Sequence, residues 1–220
     1  MLKLRRPVFL KMPLAVVFIL LVLCAATGIN GEKKTSVLMN GQLIEHFYVS
    51  GSDTSLKHGP YELFYKTHLI ESGQFMNGRK VGVWTYCNLG NVLEFKYDHD
   101  CDSLVLIAGG EQQSMLDQTS PCMFLGSSLV PYAHISSLVG YPAKAFENGL
   151  EGKVDLFLVI SPEGQIIKRY TGDNDPRLLS TSVLKASYSF PKEWLWVPER
   201  QNNLKQESIY KITILFELKK

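Results

Sequence analysis

Tyr141-Pro142-Ala143-Lys144-Ala145-Phe146-Glu147-Asn148-Gly149-Leu150-Glu151-Gly152-Lys153-Val154 is the stretch from which the fold of the C-terminal part can be read. Pro142 suits the first turn of a short helix, where its missing N–H is not needed. Gly149 suits the left-handed stop that ends such a helix. From there Val154, Leu156, Leu158 and Ile160 alternate, the pattern of a strand with one buried face. Pro162-Glu163-Gly164 is turn chemistry, and Ile166 to Tyr170 reads as the returning strand. Asp175-Pro176 reads as an N-cap and first helical residue, after which Leu179, Val183, Ala186 and Phe190 recur at helical spacing. Trp194, Trp196 and Pro198 precede an Asn-containing loop, and a final strand carries Tyr210, Ile212, Ile214, Phe216 and Leu218 on one face. Helix, hairpin, helix and strand predict a two-layer sandwich of a small antiparallel sheet and two helices.

The order and spacing of Tyr141-Pro142, Ala145, Gly149 to Val154 with its Gly152, Gly164, Trp196-x-Pro198 and the terminal Phe216-Glu217-Leu218 resemble the C-terminal domain of TonB, the periplasmic energy transducer of Gram-negative bacteria. Upstream, Cys122-Met123-Phe124-Leu125-Gly126 and a helical Ser128 to Val139 are similar to the lead-in of such proteins. The resemblance implies a domain that docks onto a segment of an outer-membrane transporter or another envelope protein, partly by strand addition. The family's anchor is a full spanning helix with polar residues that engage a proton-driven motor. The apolar run Leu14 to Ala26 is shorter and holds neither serine nor histidine, so energy transduction is a separate matter from binding.

Ahead of this region the chain repeats itself. Leu43-Ile44-Glu45, Leu69-Ile70-Glu71 and Val92-Leu93-Glu94 are one tripeptide type, and His58 to Phe64 matches Val81 to Cys87 at a period of 23 residues. Asn77-Gly78 and Leu89-Gly90-Asn91 supply turns between short strands. These units resemble MORN repeats, two-stranded hairpins that share a core only when stacked. Phe47, Tyr61, Phe64, Phe75, Trp84, Tyr86, Phe95 and Tyr97 are the residues expected to fill that core. Such a short array needs a neighbour to lean on.

The fold class is therefore α+β: an N-terminal all-β array of MORN-like hairpin repeats over 36–108, a polar linker over 109–121, and a two-layer α/β domain with a small antiparallel sheet over 122–220. Residues 1–28 read as an export signal, with positive charges to Lys11, a thirteen-residue apolar run and small residues at the expected cut. A retained inner-membrane anchor and acylation at Cys24, giving an outer-membrane lipoprotein, are the alternatives; membrane contact is expected only through an uncleaved segment. Without residues 1–28 the chain has 19 basic and 21 acidic residues. That balance argues against a nucleic-acid partner.

Cysteine use leaves two readings open. Cys101 and Cys122 flank the linker and can pair, or Cys87, Cys101 and Cys122 can all stay thiols. Asp98-His99-Asp100-Cys101-Asp102 crowds metal-binding groups together, but at no zinc spacing, and is read as a solvated turn. No cofactor, metal or catalytic set is expected. Trp194 and Trp196 either close the core or, with Tyr210, Lys211 and Thr213 of the last strand, form the partner-binding surface. The function expected is a non-catalytic periplasmic binding module. The alternative is a structural or immunity-type protein that binds through its repeats.

Overall fold

Turns with left-handed residues alternate with period-two apolar runs through the first half, and the outcome is an antiparallel meander. The computed structural model describes residues 31–218 apart from 111, 112 and 117; the expected export segment and Cys24 lie outside the described residues. The strands are β1 (Gly31–Leu38), β2 (Leu43–Ser50), β3 (Lys57–Tyr65), β4 (His68–Met76), β5 (Arg79–Asn88), β6 (Val92–Asp98) and β7 (Ser103–Ile107), adjacent in sequence order. At the β4–β5 turn Asn77 and Gly78 both take positive φ, 50° and 81°. Two such residues give the turn whose twist matches the flanking strands.

One face of this sheet is a file of rings. Trp84 lies 5.3 Å from Tyr61 and 6.2 Å from Tyr86, and Tyr86 lies 4.7 Å from Phe95. Trp84 is fully buried because its indole rests on β4 at Gly73, where a Cβ would come within 2.3 Å of the ring. Phe64 departs from the expected core. It shares a parity with His46 on the opposite face, 5.2 Å away, and Tyr65 is buried in its stead.

Residues 109–121 contain a short helix, α1 (Gln113–Leu116), and both Leu116 and Ser120 are buried. Ser120 exchanges backbone hydrogen bonds with Arg200. Among its described residues, Leu116 and Ser120 are anchored, where its polar composition reads as a loose linker.

The second half runs β8 (Met123–Phe124), α2 (Leu129–Leu138), α3 (Ala143–Glu147), β9 (Gly152–Ile160), β10 (Ile166–Thr171), α4 (Arg177–Ser187), β11 (Trp196–Val197), β12 (Arg200–Gln201), β13 (Leu204–Lys205) and β14 (Ser208–Phe216). β9 sits between β10 and β14 in an antiparallel three-stranded sheet, and β11 pairs with β8. α4 packs on β9 and β10, while α2 packs on β14 and α4. Val154, Leu156, Leu158 and Ile160 are fully buried beneath them, as their alternation requires.

The two halves share a core. A continuous cluster of buried apolar residues runs from Leu43 through Trp84, Phe124 and Ile135 to Phe216. Polar ties reinforce it, and they come from the glutamates of the repeated tripeptide. The Glu71 carboxylate accepts the Ser127 N–H at 2.9 Å, and the Glu94 carboxylate accepts the Ser128 N–H at 2.9 Å and the Ser128 hydroxyl. Helix starts leave N–H groups without intrahelical partners and carry partial positive charge, so two carboxylates are well placed before α2. Further along, Asn40 donates to the Ser137 carbonyl at 2.8 Å and Ser136 donates to Gln42 at 2.8 Å.

Candidate functional site

β14 pairs with β9 on one side, and no strand among the described residues pairs with its other border. Its inward residues Ile212, Ile214 and Phe216 are buried, whereas Ile209, Lys211, Thr213 and Leu215 are exposed. Thr213 donates to the Asp155 carboxylate at 2.6 Å, and the Lys211 ammonium lies 4.0 Å from the same group. The beginning of the strand is hemmed in by Ser128, Leu129 and Tyr132, which with Tyr210 to Thr213 line a recess of about 170 Å³. An edge strand with free N–H and C=O groups is a template for another extended chain.

The five residues expected to meet a partner divide. Lys211 and Thr213 stand on the open strand. Trp196 lies on β11 and is buried, and Tyr210, although on β14, turns its half-buried ring inward. Trp196 is 4% exposed, its ring lying 5.2 Å from Phe124 and 6.4 Å from Tyr210. The cause is the pairing of β11 with β8, which pulls the Trp196 segment inward against the lead-in. Burial also pushes the Tyr210 phenol above the ordinary tyrosine range. Trp194 is half-buried, 5.1 Å from Phe124 and 5.3 Å from His134.

The residues taken as the structural motif have local work to do. Pro142 caps α3 with φ −60°, Gly149 ends it at φ 60°, and the Tyr141 hydroxyl donates to the Leu150 carbonyl. Gly152 opens β9, and Val154 is fully buried. Gly164 takes φ 80° in the β9–β10 turn and accepts the Trp196 N–H at 3.2 Å, while Pro198 lines a cavity of about 150 Å³ behind β11.

Cys101 and Cys122 are not joined; Cys87, Cys101 and Cys122 are all free. Cys101 is exposed in the β6–β7 turn, its N–H held by the Asp98 carboxylate, whereas Cys122 is half-buried beside Ser208 and Glu199. The acidic turn is occupied with its own backbone. Asp98 accepts the Asp100 N–H at 2.9 Å, Asp100 accepts the Gly82 N–H at 2.9 Å, and Asp102 accepts the Tyr97 hydroxyl at 2.5 Å.

His99 turns inward from that segment. The Lys80 ammonium donates to the Tyr86 oxygen at 3.3 Å, and that oxygen lies 2.8 Å from His99 Nε2, to which the Tyr86 hydroxyl donates when Nε2 carries no proton. Burial, and then the Lys80 charge, push His99 down to about 4. In the unfolded chain it takes a proton near the ordinary value of about 6.5. The unfolded state then binds more protons between those values, so this contribution is present above about 6.5 and is lost as pH falls toward 4. His99→Gln is expected to flatten Tm against pH over that window, read by thermal melts of both proteins.

Sequence reasoning used Glu71 and Glu94 only as marks of a repeat and passed over Lys57 and Lys80. The available signal was the recurrence of an acid behind two apolar residues in strands facing a core. No described helix is long and apolar enough to cross a membrane. No curated protein and no solved structure matches the chain. Residues 138–218 match the family model described as Gram-negative bacterial TonB protein C-terminal, and that part of the chain is therefore similar to the TonB C-terminal domain.

Proposed function

We propose that this protein is a non-catalytic, exported binding module of the Gram-negative envelope, which engages an outer-membrane transporter or another envelope protein through the open border of β14. The observation that carries this reading is the outer border of Ser208–Phe216, with which no strand among the described residues pairs, within a region that matches a domain family of such proteins. Its place of action is the periplasm. The hairpin repeats, read as MORN-like, brace the helical side of the C-terminal unit and leave the β14 border free. An exposed cation and hydroxyl at Lys211 and Thr213 keep that border from pairing indiscriminately while leaving its backbone accessible.

Cutting the chain at residue 121 is a poor test, because it would strip the shared core from Phe124, Leu129 and Val130. The full chain should instead carry a photo-crosslinking residue at Lys211 or Thr213 and, separately, at the exposed Glu62 on the outer face of the repeat sheet. Adducts with an outer-membrane transporter from 211 and 213 are expected. Adducts from 62 alone would favour binding through the repeats and would remove the β14 reading.

A further inference from the structure

A groove of about 670 Å³ runs between the ringed face of the repeat sheet and the segment around Trp194. That volume is typical of small-molecule sites. Leu43, Leu63 and Phe75 line it from the sheet, and Phe124, Val130 and Trp194 from the other half. Into this apolar trough the sheet sends Lys57, Arg79 and Lys80.

The lysines are held by rings and by two largely buried carboxylates, one of which, Glu71, also lines the groove. Lys57 Nζ lies 4.8 Å from the centroids of Phe47 and Tyr61 and 2.5 Å from the Glu45 carboxylate. Lys80 Nζ lies 4.1 Å from the Trp84 ring and 3.6 Å from the Glu71 carboxylate. Side-chain exposure is 9% and 6% for Glu45 and Glu71, against 30% and 28% for Lys57 and Lys80. Glu71 also spends one oxygen on the Ser127 N–H. Arg79 is exposed, and the opposing wall contributes the exposed Glu193. The sheet side of the groove therefore presents Lys57, Arg79 and Lys80 to an occupant, with Glu45 set behind Lys57 and the largely buried Glu71 also part of the lining.

A purely apolar or cationic occupant would strip water from the open sides of two ammonium groups that each have one carboxylate, and from Arg79, which has no ion pair among the described residues. It would add no negative charge in return, which is costly. An anionic head joined to an apolar body meets both demands. We propose that the groove binds a single-chain amphiphile with a carboxylate head, the head lying among Lys57, Arg79 and Lys80 and the chain along Phe75, Phe124, Val130 and Trp194. Lys80 is consistent with this assignment: burial lowers it below the ordinary lysine range despite Glu71, so an added negative charge is favoured there. The proposal is independent of the β14 border.

The test is calorimetric titration of the full chain with dodecanoate below its micellar concentration, alongside dodecyltrimethylammonium as the cationic match. Saturable one-to-one binding of dodecanoate, with a change in tryptophan fluorescence, is expected; the cationic chain should bind at least tenfold more weakly. Arg79→Glu, at an exposed position, should weaken dodecanoate binding at least tenfold with Tm unchanged. Glu45→Gln keeps an acceptor for Tyr61 and Lys57 while freeing the lysine charge, and should tighten binding severalfold. No saturable binding, equal binding of both chains, or indifference to Arg79→Glu would each overturn the proposal.

Discussion

Glu71→Ala should destabilise the two halves of this protein together, by about 3–5 kcal/mol. Glu71 is 5% exposed and serves both halves at once. One carboxylate oxygen accepts the Ser127 N–H at 2.9 Å, and the other faces the Lys80 ammonium at 3.6 Å. Alanine leaves that ammonium desolvated with no counter-charge and leaves a buried N–H before α2 without an acceptor. The loss at Ser127 is large because that residue is fully buried and its N–H cannot turn to water, and Lys80, against the rings of Trp84 and Tyr86, is only partly open to it. Glu71→Gln, which retains an acceptor for Ser127 but removes the charge, should recover part of the loss. Urea denaturation of the wild type and both variants checks the order wild type, Gln, Ala. A loss confined to signals from the repeat sheet would contradict the shared core.

Gly164→Ala should be the most damaging single methyl in the C-terminal unit. Gly164 takes φ 80°, a region that costs an L-residue about 1–2 kcal/mol. An added Cβ would also stand 2.3 Å from the Trp196 carbonyl oxygen, which is backbone and cannot rotate away. Overpacking of this kind adds about 1–3 kcal/mol. The displaced strand β11 would carry Trp196 off Phe124 and loosen β8, so the junction between the halves should suffer along with the turn. Thermal melts will show it, with Gly140→Ala as the control, since nothing lies within 4 Å of a Cβ there.

Much of the secondary structure was legible from local chemistry. Pro142 and Gly149 bracket a helix because their backbone preferences act without help from the rest of the fold. The alternation from Val154 to Ile160 states which face is buried. What periodicity cannot state is what that face meets. Trp194 and Trp196 have the same parity, yet only Trp196 is drawn fully inside, because β11 pairs with a two-residue strand 72 positions earlier. Glu45, Glu71 and Glu94 follow apolar residues in three strands, and nothing local says that two of them will hold the N–H groups just before a helix in the other half. Phe64 has the aromatic character of a core residue, but its neighbours Leu63 and Tyr65 occupy the inward positions. Polar composition likewise made 109–121 look like a tether, where Leu116 and Ser120 are anchored.

The β14 border is useful to a partner only while the strand is held by β9 and by the helices that the repeat sheet supports. Hydrogen exchange of the full chain, followed peptide by peptide through a urea series, measures that dependence directly. Peptides covering β4 and β5 should lose protection at the same urea concentration as those covering β9 and β14. Protection persisting in β9 and β14 after the repeat strands have exchanged would mean that the halves fold independently, and the single-core account would fail.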